Sequence, residues 1–178
     1  MKTVLMAIFI LLPVAAQDIK LPASLDRLQD KATEAVNVTL DPSMLQMAAR
    51  FLSDKSADEV KVKKLVSGLR GIYVRSFEFD KEGEYDKADV ESVRSQLRGP
   101  GWSRIVEVKG KGELSEVYLR SENGKISGLV VIAAEPKELT IVNILGEIDP
   151  SQLSDLSGHF GVPKMDVPTP KKSAGKDD

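Results

Sequence analysis

The chain has 178 residues, with 25 Lys plus Arg against 27 Asp plus Glu, one His and no Cys. A formal charge of −2, with acids and bases interspersed, lacks the basic footprint of a nucleic-acid binder. The missing Cys excludes disulfides, zinc thiolate sites and thiol chemistry.

The N-terminus reads as an export signal. Lys2 gives a short positive start, Val4 to Leu12 form an uncharged apolar run, Pro13 breaks it, and Val14-Ala15-Ala16 supply small residues. That is the three-part pattern a signal peptidase reads. The run is far shorter than the roughly 20 residues a membrane-spanning helix needs. Cleavage is expected between Ala16 and Gln17. A lipid-anchored lipoprotein needs Cys at that junction, so the mature protein is expected to be exported, periplasmic or secreted, with no stable membrane anchor.

Residues 17–162 then read as one domain, long enough for a real core. Leu25, Leu28, Ala32 and Ala35 share one face at helical spacing, which predicts a helix over 21–36. Val36, Val38 and Leu40 alternate with Asn37 and Thr39 as a short strand. Asp41-Pro42-Ser43 is a helix start: the carboxylate accepts from free amides, and Pro loses no hydrogen bond there. The helix that follows turns Leu45, Ala48, Ala49 and Leu52 inward. The next helix, 57–69, carries Val62, Leu65, Val66 and Leu69, and Gly71 is expected to end it.

A strand over 72–79 places Tyr73, Phe77 and Phe79 on one side. Core burial is expected for them, with a partner-binding patch as the alternative. A helix over 87–97, capped by Asp86, carries Val90, Val93 and Leu97. Gly99-Pro100-Gly101 stops it. Four strand candidates follow, 102–108, 113–121, 126–134 and 138–148. Asn123-Gly124 is a hairpin turn signal, and GLVVIAA (128–134), apolar without alternation, reads as a central strand. Helices early and strands late give an α+β class, a two-layer sandwich whose mainly antiparallel sheet ends in a four-strand meander, with helices on one face. A second Asp149-Pro150-Ser151 start precedes a helix with Leu153, Leu156 and Phe160. The tail, 163–178, has Pro163, Pro168, Pro170 and four Lys and reads as disordered.

Chemistry is sparse. His159 has no second His to share a metal or a proton relay, and no G-x-S-x-G elbow supplies a nucleophile. No phosphate-binding glycine loop is present. Asp80, Glu82, Glu84, Asp86 and Glu91 fall at calcium-loop spacing, but Tyr85 stands where the sharp turn needs Gly and Glu91 falls inside a helix. No catalytic, cofactor or metal residue is therefore assigned. Arg75, Arg104 and Arg120 alternate with apolar residues on their strands, and are the speculative partner surface on an open sheet face.

The segments GIYVRSFEFD (71–80), GWSRIVEV (101–108) and ELTIVNILGEID (138–149) give the chain a resemblance to the bacterial DUF4252 family of exported proteins of unknown function. The resemblance extends from about Leu21 to Pro163. It implies export and a single domain, and brings no catalytic residues to carry over. Some exported relatives have a lipobox Cys that this chain lacks. The reading is an exported non-enzymatic module that binds an extracytoplasmic protein or envelope component. The alternatives are a small-ligand or lipid carrier with an apolar cleft between helices and sheet, and a hydrolase using carboxylates.

Overall fold

The computed structural model describes residues 19–52 and 56–149, and of Asp58 the backbone alone. The expected leader with its expected Ala16–Gln17 junction, the segment carrying Leu153, Leu156, His159 and Phe160, and the tail lie outside the described residues.

Six strands form one open sheet: β1 Glu34–Leu40, β2 Leu69–Glu78, β3 Trp102–Lys109, β4 Leu114–Glu122, β5 Lys125–Glu135 and β6 Glu138–Ile148. Their order is β1-β2-β6-β5-β4-β3, and every neighbouring pair is antiparallel. The expected meander is β3 to β6. Its middle turn works because Asn123 (φ 53°) and Gly124 (φ 76°) both take the left-handed conformation that matches the twist of the flanking strands. The long-range step is β2 against β6, which joins the two halves of the chain.

Among the described residues three α-helices pack on this sheet: α1 Pro42–Phe51, α2 Ala57–Gly68 and α3 Lys87–Arg94. They do not share one face, as the sequence reading expected. Alternate strand residues feed two separate cores. On one face Phe77, Val130, Ile132, Leu139 and Ile141 meet Val90 and Val93 of α3, with Leu25, Leu28 and Leu97. On the other, Ile72, Val74, Leu129, Val142 and Ile144 meet Leu45 of α1 and Leu65 and Val66 of α2. The cause is the composition of the central strands. β5 and β6 are apolar at successive positions, so both of their faces must be kept from water. Phe77 and Phe79 are core residues, 1% and 2% exposed.

The expected helix over 21–36 is also corrected. Only a short 3-10 turn, Asp26–Leu28, forms there, and β1 already starts at Glu34. No side chain caps that turn, and a helix through 36 would cost β1 its seven-residue pairing with β2. Leu25 and Leu28 are buried as expected. Before them, Asn143 Nδ2 donates to the Ile19 carbonyl at 3.3 Å, and the Gln96 side-chain amide holds the Lys20 backbone, its Oε1 accepting from the N–H and its Nε2 donating to the carbonyl.

Gly71 does not end α2. The helix stops at Gly68, β2 begins at Leu69, and Gly71 sits at a register shift within β2. The close approach that demands glycine lies where the start of β2 crosses β6. Gly146 has φ +126°, and a Cβ there would stand 2.5 Å from Leu69 Cα and 2.8 Å from Arg70 N, and closer still to the Gly68 carbonyl oxygen. Across the gap, a Cβ on Gly68 would meet the Glu147 carbonyl oxygen at 2.8 Å.

Candidate functional site

The most unusual surface belongs to α1. Asp41 starts this helix: its Oδ1 accepts from the Met44 N–H at 2.8 Å and from Ser43 Oγ at 2.6 Å. The Ser43 bond, first, and the Met44 amide hold the Asp41 carboxyl below its usual pKa. With about 100° of turn per residue, Leu45, Ala48, Ala49 and Leu52 take one side, and Leu45 is 1% exposed in the core. Met44, Met47 and Phe51 recur at helical spacing beside them, so that the apolar arc spans roughly 200°. The core covers one side of it and leaves the other side bare. Met44 is 42% exposed, Met47 54% and Phe51 84%.

The helices α1 and α2 pack against each other. Val60, one turn into α2, is 43% exposed. Arg50 of α1 and Lys61 and Lys64 of α2 are exposed, and Lys63 is half-buried. Soluble proteins scatter exposed apolar residues singly, whereas a contiguous group marks an interaction surface. Methionines suit such a surface because they repack to fit what they meet.

On the opposite sheet face lies a buried ion cluster. The Glu116 side chain is fully covered, and Arg94 and Arg104 converge on it. Arg94 Nε stands 2.8 Å from Oε2, and Arg104 Nη1 donates to Oε1 at 2.7 Å. Arg104 also holds Glu107 at 2.7 Å, and Glu91 pairs with Arg94 and Arg98. A hydrogen bond to Tyr118, and then Glu116, raise the Arg94 pKa against the opposing effect of burial. Hydrogen bonding to Glu116 raises that of Arg104. The Lys109 hydrogen bond, with Arg104 assisting, lowers that of Glu107. With both oxygens turned to guanidinium groups, Glu116 is suited to holding α3 and β3 against β4.

Beside this cluster a groove of about 600 Å³ runs between α3 and the β3–β4 hairpin. Val90, Leu114 and Ala134 line it, with Tyr85 at one end and Lys87, Glu91, Arg94 and Lys109 among its polar groups.

The three strand arginines all point to the α3 side of the sheet, but not to one open surface. Arg120 is 2% exposed and pairs with Glu122 at 2.5 Å. Arg104 is spent on Glu116 and Glu107. Arg75 lies three strands from Arg120, about 14 Å across the sheet, and is level with Glu116 rather than with Arg120 along it. Its Nη1 donates to the carbonyls of Val74 at 3.0 Å and Val38 at 3.2 Å. The core that α3 covers fills the space between them.

The acidic segment 80–91 serves local structure. The Asp86 N–H donates to Asp89 Oδ2 at 3.0 Å, one arm of the capping box that starts α3. Tyr85 donates to the Glu135 carbonyl and packs on Phe79 with ring centroids 5.8 Å apart. Among the described residues no group of three or more His, Asp or Glu is placed to hold a metal ion. No described helix is long and apolar enough to cross a membrane.

Sequence reasoning passed over the α1 stripe although its signal was in plain view. Once Leu45, Ala48, Ala49 and Leu52 fill the core side, Met44, Met47 and Phe51 are apolar residues left with nothing to bury them. No curated protein and no solved structure matches the chain. One family does, described as a domain of unknown function, DUF4252, over residues 29–156. That is well over half of the 178 residues, and the chain belongs to the DUF4252 family.

Proposed function

We propose that this protein is an exported, non-enzymatic binding module that docks at the cell envelope through its α1–α2 hairpin. The observation that carries the reading is the half-covered apolar arc of α1, with Phe51 84% exposed at its end. An exposed Phe beside two exposed Met is maintained against the pull of burial, and contact with a partner would bury it. The leader at residues 1–16 supports an extracytoplasmic address. The inward-turned Glu116 cluster leaves its carboxylate without access to a substrate, which supports a role outside catalysis.

The test is co-sedimentation. Protein processed by its own host is mixed with washed envelope from that host and spun down, beside a Met47→Asp/Phe51→Asp variant. The wild type is expected in the pellet and the variant in the supernatant, with the same unfolding temperature for both. Equal partition of the two proteins would defeat the proposal.

The groove between α3 and the β3–β4 hairpin favours a second reading, a small-ligand carrier, because the apolar Ala88, Val90, Leu114 and Ala134 line it together with charged side chains. Native mass spectrometry of host-purified protein tests it: added mass that Leu114→Lys abolishes supports a carrier, and a bare apo mass rejects it.

A further inference from the structure

The sheet face that carries α1 and α2 extends beyond them. α1 sits on β1 and β2, and α2 on β6. On the far side of α2 the same face continues across β5, β4 and β3. Register puts Val117 and Leu119 of β4 there, between Val106 and Val108 of β3 and Leu129, Val131 and Ala133 of β5, with only Ser103 and Ser115 among them. Val117, Leu119 and Ala133 are half-buried, and Val106 and Val108 are 38% and 59% exposed. The charged residues of these outer strands, Arg104, Glu107, Lys109, Glu116 and Arg120, alternate to the α3 side. A charge-free apolar face on strands otherwise rich in charge is one that folding covers.

We infer that residues 150–160 of this chain cover it, as a helix laid beside α2. Three observations select this occupant. The first is where the chain goes. β6 ends at Ile148, which is 2% exposed in the core beneath α1 and α2. Asp149 lines, with Leu65, Gly68 and Ile126, a groove of about 720 Å³ between the end of α2 and the ends of β5 and β6. The chain therefore leaves β6 beside α2, at the rim of the uncovered strip. The family match runs on to residue 156, so the segment belongs with the domain rather than with the tail.

The second is chemistry. Asp149 and Pro150 are a helix start, and Gln152 stands where a capping box needs it, three residues after the capping carboxylate. Leu153, Leu156 and Phe160 then fall on one narrow stripe at helical spacing, with Ser151, Ser154 and Asp155 turned away from it. That stripe needs an apolar surface, and the strip on β3 to β5 is one.

The third is dimension. Neighbouring helices pack about 8–10 Å apart, which is two strand spacings of about 4.8 Å. With α2 on β6, a helix beside it lies over β4, the middle of the strip. As a helix, residues 150–160 extend about 16 Å, and the strand from Leu119 to Ser115 extends about 13 Å. Running back from the end of β6, Leu153 falls near Leu119, Leu156 near Val106 and Val117, and Phe160 near Val108 and Ala133. The α1 stripe lies on the other side of α2, so the reading of α1 stands or falls separately.

The chain has no Cys, so engineered pairs report proximity without interference. Three double variants are made in the full host-processed chain: Leu119→Cys/Leu153→Cys, Val106→Cys/Leu156→Cys and Val108→Cys/Phe160→Cys. Val36→Cys/Phe160→Cys is the control, since Val36 is 37% exposed on the same face but at the opposite edge strand. A disulfide needs Cα atoms within about 7 Å, so under mild oxidation at least one of the three pairs is expected to close within a single chain about tenfold faster than the control or more. Leu156→Ala is expected to lower the unfolding temperature by roughly 5–15 °C, as a covered leucine would. Closure of all three pairs no faster than the control, or only between chains, would overturn the inference. So would a Leu156→Ala midpoint within about 1 °C of the wild type. If Leu156→Ala does not fold, the disulfide rates alone decide.

Discussion

Leu45 and Phe51 lie on the same helix less than two turns apart, and the account assigns them opposite roles. Leu45 is 1% exposed between α1 and the sheet. Truncation to Ala removes its transfer free energy and leaves a cavity, so Leu45→Ala should cost about 2–5 kcal/mol. Phe51 is 84% exposed, so only about one sixth of it is covered. Since full burial of a Phe contributes up to about 3 kcal/mol, Phe51→Ala should cost no more than about 0.5 kcal/mol. For a domain of this size each kcal/mol moves the midpoint by about 2–4 °C. Leu45→Ala should therefore lower the unfolding temperature by roughly 5–15 °C and Phe51→Ala by under about 2 °C. Thermal unfolding followed by circular dichroism, at two protein concentrations twentyfold apart, measures both. A loss at Phe51 above about 1.5 kcal/mol, or one that grows with concentration, would mean that Phe51 is already buried in free protein. The reasoning about its exposure would then fail.

The Glu116 cluster should respond asymmetrically. Glu116→Leu frees Arg94 and Arg104, whose side chains are 26% and 38% exposed and can rehydrate, so its cost should stay below about 2 kcal/mol. Arg94→Met leaves a fully covered carboxylate with one cation and should cost about 2–4 kcal/mol in urea denaturation; the reverse order would contradict the geometry. Gly146→Ala drives a Cβ into backbone on β2, which no side-chain movement relieves, and should cost over about 3 kcal/mol or prevent folding. Gly83→Ala, with φ +82° and nothing within 4 Å, should cost about 1 kcal/mol, the backbone strain alone. The same denaturation series checks both glycines.

Stability should also fall in acid. Asp41 and Glu107 have folded pKa values below their ordinary 3.8 and 4.5. The unfolded chain therefore takes up protons first, and their stabilisation, complete above those ordinary values, is lost as pH falls through and below them. An Asp41→Asn/Glu107→Gln variant should show a shallower acid limb between about pH 5 and pH 3, the range of unperturbed carboxylates; an unchanged limb would exclude the two groups.

Much of the fold was legible in the residues. The strands from Trp102 onward, the Asn123-Gly124 turn and the Asp41 cap rest on local chemistry, and local chemistry is what a sequence displays. The helix over 21–36 failed because Leu25 and Leu28 are buried equally well by a 3-10 turn, while the competing pairing of β1 with β2 depends on residues some forty positions away. Placing helices on both faces also depends on distant partners, although the unbroken apolar run of β5 and the adjacent apolar pairs of β6 already require two covers. Gly71 was misread because its constraint lies in a strand irregularity rather than a helix end. The arginines of β2, β3 and β4 share one side of the sheet but do not form the open face the sequence suggests. Their partners, Glu116 above all, come from other strands, and only the fold shows them spent. The α1 stripe is the reverse case: every residue was visible, and its meaning appeared only when the core proved to cover one side of the arc.

The central claim is that α1 docks, and amide hydrogen exchange tests it directly. Host-processed protein is labelled with and without envelope membranes from the same host. The account predicts that added membrane slows exchange over residues 42–64 and leaves α3 and the β3–β4 hairpin unchanged. Protection confined to the groove between α3 and that hairpin, or none anywhere, would contradict it.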